Sequence, residues 1–236
     1  MGDLWHGAWT AVIEFDYWSE IGTGTLDTLI MSGLSLLFTV LIGLPVGTVL
    51  FLTGWGHRSP RPGVAALQAW TYRIVSFVVN VLRSVPFLIL LILLIPATRW
   101  LVGTSLGVQG AIPPLVIAAA PFFARLVENL LREVDSGVLE ACRAMGATTR
   151  QTVFWALIPE AFGGLLAAIT VTAIALVGYS AMSGVIGGGG LGDLAVRYGY
   201  QRFNTPVMIV TVAILVVLVQ FIQWAGDRCV ARLSHR

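Results

Sequence analysis

The chain of 236 residues contains no lysine, only two cysteines, and charged side chains at 11% of its positions, where a soluble domain carries roughly 25%. Without lysine it cannot hold a GxxxxGK[ST] phosphate loop, whose Lys neutralises the β- and γ-phosphates, so nucleotide hydrolysis of that kind is excluded. HExxH is also missing, which removes the common metalloprotease signature. Gly187 to Gly192 spell GxGxxG, but they follow an apolar run instead of a strand and lack an acidic residue about 20 positions on, so a dinucleotide site is rejected. Cys142 and Cys229 fall in stretches placed below on the cytoplasmic side, where thiols stay reduced. His6, His57 and His235 stand apart without ligand spacing, and no metal site is expected. A net charge of +2 gives no reason to expect a nucleic-acid partner.

What the chain has is apolar length, with 57% hydrophobic residues. A helix needs about 20 mostly apolar residues to cross the hydrocarbon. Thr28 to Gly56, Ile74 to Thr98, Trp100 to Ala124, Ala161 to Gly192 and Phe203 to Gly226 supply five such stretches, interrupted by charge only at Arg83. Five crossings put the termini on opposite sides. If the C-terminus is inside, Arg58, Arg61, Arg73, Arg125, Arg132, Arg143, Arg150, Arg228, Arg232 and Arg236 are cytoplasmic, against Arg99, Arg197 and Arg202 outside. That asymmetry selects the orientation, because short cytoplasmic loops retain basic residues. Residues 1–23 hold Asp3, Glu14, Asp16 and Glu20 and no Arg, the reverse of a signal peptide's basic start, so no cleavage is expected. Trp5, Trp9, Phe15, Tyr17 and Trp18 suit an extracytoplasmic interfacial segment.

Gly43, Pro45 and Gly47 in the first span, and Pro86, Pro113, Pro114 and Pro121 farther on, suit helices packed closely in a bundle, where neighbours satisfy freed backbone groups. Arg83 lies about nine residues or ~13 Å deep if its helix starts at Ile74. It either snorkels to the interface or finds a carboxylate. Glu128 is the candidate, although Arg125 and Arg132 stand at i,i+3 and i,i+4 from it on the same helix. Tyr179, Ser180, Met182 and Ser183 present hydroxyls and a thioether ahead of a glycine run that must bend, and they either line a pore or pack between helices.

The compact polar segment "EACRAMGATTRQTVFWALIPEA", Glu140 to Ala161, reads as a helix–turn–helix hairpin. Asp135 or Ser136 caps a first helix, Gly146 ends it, and Thr148 with Gln151 forms a capping box for a second. Val153, Phe154, Leu157 and Ile158 give that second helix an apolar face before Pro159. Glu140, Ala141, Gly146 and Pro159 fall where the cytoplasmic loop signature of binding-protein-dependent ABC importer permeases has its Glu, Ala, Gly and Pro; Cys142, Ala156 and Ile158 depart from it conservatively. "LIGLPVG", "RSVPF", "VGTSLG", "RAMGAT", "LVGYSAM", "GGGGLG" and "QFIQWAGDR" resemble, in order, the methionine-importer branch of that family, with Ser183 where glycine is expected.

The resemblance implies an all-α, five-span permease fold over residues 24–228, including a coupling hairpin at 135–160, with 229–236 as a cytoplasmic tail. It implies residence in the inner membrane and a homodimer that forms the pore. Two separate ATPase subunits would carry ATP and Mg, an external binding protein would deliver methionine, and this chain would bind no cofactor. Glu140, Ala141, Gly146, Ala147, Thr148 and Pro159 would serve ATPase coupling, with no catalytic residue in this chain. An importer of another amino acid or small molecule is the alternative, and a non-transporting scaffold or sensor is a further one.

Overall fold

A computed structural model describes residues 17–56 and 62–234. The aromatic and acidic residues up to Asp16, the three histidines, and Arg58, Arg61 and Arg236 lie outside the described residues. Within them the chain is α-helical and no strand occurs. Five helices are long and apolar enough to cross a membrane: α1 (Trp18–Phe51), α2 (Pro62–Ser84), α5 (Gly107–Glu133), α9 (Phe162–Ser183) and α11 (Thr205–Ser234). Short helices α3 (Phe87–Leu93) and α4 (Ile95–Val102) join α2 to α5. The hairpin between α5 and α9 contains α6 (Ser136–Ala144), α7 (Thr149–Thr152) and α8 (Ile158–Glu160), and α10 (Gly190–Leu194) lies between α9 and α11.

The number of crossings matches the expectation, but several boundaries correct it. Ile74 to Thr98 is not one span, because Pro86 disfavours helical backbone at the residue before it and α2 stops at Ser84. The helix instead starts at Pro62, so a search for charge-free runs misses the half that contains Arg73. Arg83 therefore sits in the last turn of α2 and not ~13 Å along the helix from a cytoplasmic start. Likewise the third span begins at Gly107, since Gly103, at φ 81°, closes α4. At the chain's ends no break separates the expected flanking segments: α1 is already helical at Trp18, and α11 continues to Ser234.

Helix α5 is the centre of the bundle. In its most apolar 18-residue window 56% of residues are buried, against 6% for α2 and 11% for α11, so the last two leave most of their apolar surface outside the chain's own core. Helix α1 lies against α5 where Gly43 and Gly47 bring the backbones together. A Cβ on Gly47 would come to 2.5 Å from the Ala124 carbonyl oxygen and 2.6 Å from Val127 Cβ. Gly47→Ala is therefore expected to cost about 1–3 kcal/mol through overpacking. Gly33→Ala, on an exposed face with nothing within 4 Å, should leave the thermal unfolding midpoint in detergent unchanged.

Two larger cores stack along the bundle, beside a small third one of Ile21, Leu191 and Leu194. Near the hairpin, Phe51, Phe123, Val127, Leu131, Val153, Leu157 and Leu165 join α1, α5, α9 and the hairpin. At the opposite end, Met31, Phe87, Leu91, Leu115 and Leu176 join α1, α3, α5 and α9.

Candidate functional site

The hairpin is built by local capping, as its sequence requires. Asp135 Oδ1 accepts from the Gly137 amide at 2.6 Å and opens α6. Gly146, at φ 72°, ends it, and the Gly146 and Ala147 amides donate to the Arg143 and Cys142 carbonyls. Thr148 and Gln151 form both halves of the capping box: the Thr148 amide donates to Gln151 Oε1 at 2.9 Å, and the Gln151 amide donates to Thr148 Oγ1 at 3.4 Å. Beyond α7 the chain widens into a π turn over Val153–Leu157, with the Ile158 amide donating to the Val153 carbonyl. This wider turn precedes Pro159, which has no amide hydrogen to continue an α ladder.

The apolar face of the second helix differs from the expectation. Val153 and Leu157 are buried in the core and Ile158 packs beside it, but Phe154 and Trp155 point outward, Trp155 with 79% exposure. The π turn is the cause, because it shifts the residues that follow away from the 3.6-residue face. Met145, beside Gly146, is also exposed. The hairpin thus shows apolar and basic side chains outward while its root is fixed in the main core. Sequence reasoning missed Met145 and Trp155, although both lie inside the segment it singled out.

Above the hairpin, Glu128 is fully buried and pairs with Arg125 at 2.5 Å and with Arg132. Arg125 also donates to Ser76 Oγ at 3.0 Å and Asn80 Oδ1 at 2.9 Å, and Arg132 donates to the Tyr72 hydroxyl at 3.3 Å. Those bonds join α5 to one stripe of α2. The expected Arg83–Glu128 contact does not form; both Glu128 oxygens are taken by arginines of its own helix, and Arg83 lies near the opposite end of α2.

At that opposite end the four candidate pore residues divide. Ser180 and Ser183 are buried, and their hydroxyls donate to the Val177 and Ser180 carbonyls of their own helix. Met182 is exposed, and Tyr179 is half-buried, stacked on Phe87 at 4.6 Å between ring centroids and 13° between planes. The glycine run bends as expected, with Gly187, Gly189 and Gly190 at φ between 76° and 80°. It returns α10 to α1, where Thr28 Oγ1 accepts from the Leu191 amide at 2.9 Å. Thr28 was not singled out from the sequence, nor were Ser32, Ser35 and Thr39 on α1, whose buried hydroxyls have no hydrogen-bond partner. Their repetition at helical spacing in an apolar span was the available signal. No cluster of metal-ligating side chains occurs among the described residues.

This arrangement has close relatives. Residues 63–235 match the family of binding-protein-dependent transport system inner membrane components. A protein of Pasteurella multocida named as a probable D-methionine transport system permease protein, MetI, is 44% identical over 219 residues, covering 93% of this chain and 98% of its own. The methionine import system permease protein MetP of Bacillus subtilis is 48% identical over 209 residues, covering 89% of this chain and 91% of its own. Among solved structures, a chain from an inward-facing form of the MetNI methionine ABC transporter superposes with a TM-score of 0.88 at 48% identity, covering 93% of this chain and 99% of that one. With five crossings, a capped hairpin rooted in the core and relatives matching over nearly their whole length, the chain belongs to the inner-membrane permease family of binding-protein-dependent transport systems.

Proposed function

We propose that this chain is the translocation subunit of an ATP-driven methionine importer, acting as a homodimer with two ATPase subunits seated on its hairpins. The observation that carries the reading is the hairpin itself. It turns Met145, Phe154 and Trp155 outward, while Val153 and Leu157 lock it to α1, α5 and α9, so a force applied from outside is passed to three crossings at once. A rigid lever of this kind suits alternating access, in which packed elements move between discrete states. The relatives' names support methionine as the cargo, and the lysine-free sequence leaves ATP and Mg to the partner ATPase.

In this reading the hairpin faces the cytoplasm with the C-terminus, the N-terminus lies outside, and an external binding protein delivers cargo to the opposite end. Glu140, Ala141, Gly146, Ala147, Thr148 and Pro159 hold the hairpin's shape or surface for the ATPase, and none of them performs chemistry. The test is accumulation of labelled methionine in proteoliposomes containing this chain, its ATPase and the binding protein. Uptake should require ATP and stop when any component is omitted. Uptake of a different amino acid alone would replace the cargo and keep the importer; no ATP-dependent uptake, with no change in ATPase rate on adding binding protein, would favour a scaffold.

A further inference from the structure

We infer that Arg83, Phe87, Phe122 and Tyr179 form a transient cargo site within the membrane domain, beside the middle of α5, that takes a free α-amino acid with an unbranched apolar or thioether side chain. This rests on the importer reading and specifies where the cargo touches the chain. The four residues line one cavity of about 140 Å³ together with Leu82, Val85 and Ala118, so α2, α3, α5 and α9 all contribute to it. Two features that the sequence presents separately, the arginine of the second crossing and the tyrosine of the fourth, meet there.

Each wall has a chemical complement in such a molecule. The Arg83 guanidinium has no carboxylate partner among the described residues and no acidic residue lines the cavity. It is exposed and therefore available to a carboxylate, which guanidinium binds through two parallel hydrogen bonds. The Phe87 and Tyr179 rings, stacked at 4.6 Å, and Phe122 offer faces and edges to a flexible chain, and a thioether gains from sulfur–aromatic contact. The Tyr179 hydroxyl makes no hydrogen bond among the described residues and is free for the ligand's polar end. Helix α2 ends at Ser84, and Pro86 brings no amide hydrogen, so the carbonyls of its last turn form a partially negative terminus for the ammonium group. A salt bridge or a cap from the protein itself would have closed these groups. Their openness is what a passing zwitterion requires.

The test uses the assembled permease–ATPase complex in nanodiscs without binding protein, so that no other amino-acid site is present on the outer side. A photoreactive methionine analogue with a diazirine in place of the thioether is cross-linked and mapped by mass spectrometry, with methionine and methioninamide as competitors. Labelling is expected on peptides containing Phe87, Phe122 or Tyr179. Methionine should displace the label and methioninamide, lacking the carboxylate, should not. Arg83→Gln should lower labelling by about tenfold or more, the scale of a lost charge-assisted bond, and Arg83→Lys by less. Label confined to other peptides, or equal competition by methioninamide on the unmodified complex, overturns the site, as does unchanged labelling in Arg83→Gln. The competition arm stands even if that variant fails to assemble. Uptake measured in parallel separates the two ideas: methionine uptake without pocket labelling removes the site and keeps the importer, whereas pocket labelling without methionine uptake removes the cargo assignment and keeps the site.

Discussion

Replacing Glu128 with leucine is expected to destabilise the protein by roughly 3–5 kcal/mol, because it leaves two guanidiniums facing each other with no carboxylate between them. Glu128 is fully buried and both its oxygens are engaged, while its partners keep 15% and 30% exposure, so some water reaches the orphaned charges and the lower end of that range applies. The loss reaches beyond one helix. Arg125 donates to Ser76 and Asn80, and repulsion that turns it away also releases α2 from α5. Arg132→Leu should be far milder, since Glu128 keeps Arg125 and the charges then cancel. Thermal unfolding of the purified complex in detergent reads both, and the prediction fails if the two variants lose equal stability.

The second large effect is expected at Gly146. Its φ of 72° lies in the left-handed region, which a β-branched residue enters at a cost of about 1–2 kcal/mol. Gly146→Val should therefore swing α7 relative to α6 without disturbing the membrane core, because no neighbour lies within 4 Å of the new Cβ. Methionine uptake is expected to fall on the order of tenfold, within the range of coupling energies carried by single positions, while ATP hydrolysis persists. Gly146→Asn, which tolerates left-handed backbone, should retain most uptake. Parallel fall of hydrolysis and uptake in the valine variant would mean that the turn serves assembly and not coupling.

Much of this molecule is legible in the sequence where the determinants are local. Asp135, Gly146 and the Thr148–Gln151 box specify the hairpin within a few residues of themselves, and their hydrogen bonds form as the spacing demands. The number of crossings follows from apolar length. Their limits do not, because a charge-free window stops at Arg73 although a helix end in the headgroup region tolerates it, and because Pro86 terminates a run that hydropathy reads as continuous. Side-chain partners between helices are the least legible. Arg83 and Tyr179 meet in one cavity through the folding of α3 back toward α9, which no periodicity encodes, and Glu128's choice of partners was decided by helical spacing over a distant arginine.

The sparse burial of α2 has a consequence for how the protein is made. The chain emerges from its N-terminus, so α2 enters the bilayer before α5 exists to receive it. Ser76 and Asn80 then have no guanidinium to accept from, and must turn to their own backbone or to water, as Ser84 does when it donates to the Asn80 carbonyl at 2.8 Å. Since few of its apolar residues are covered by the finished chain, hydrophobic contact gives α2 little preference for one rotation about its axis. Tyr72 already lies against Gly54, just beyond the end of α1, and the azimuth is fully settled when Arg125 and Arg132 arrive on α5 and engage the stripe of Tyr72, Ser76 and Asn80. The second helix to be inserted is thus among the later ones to be fully oriented.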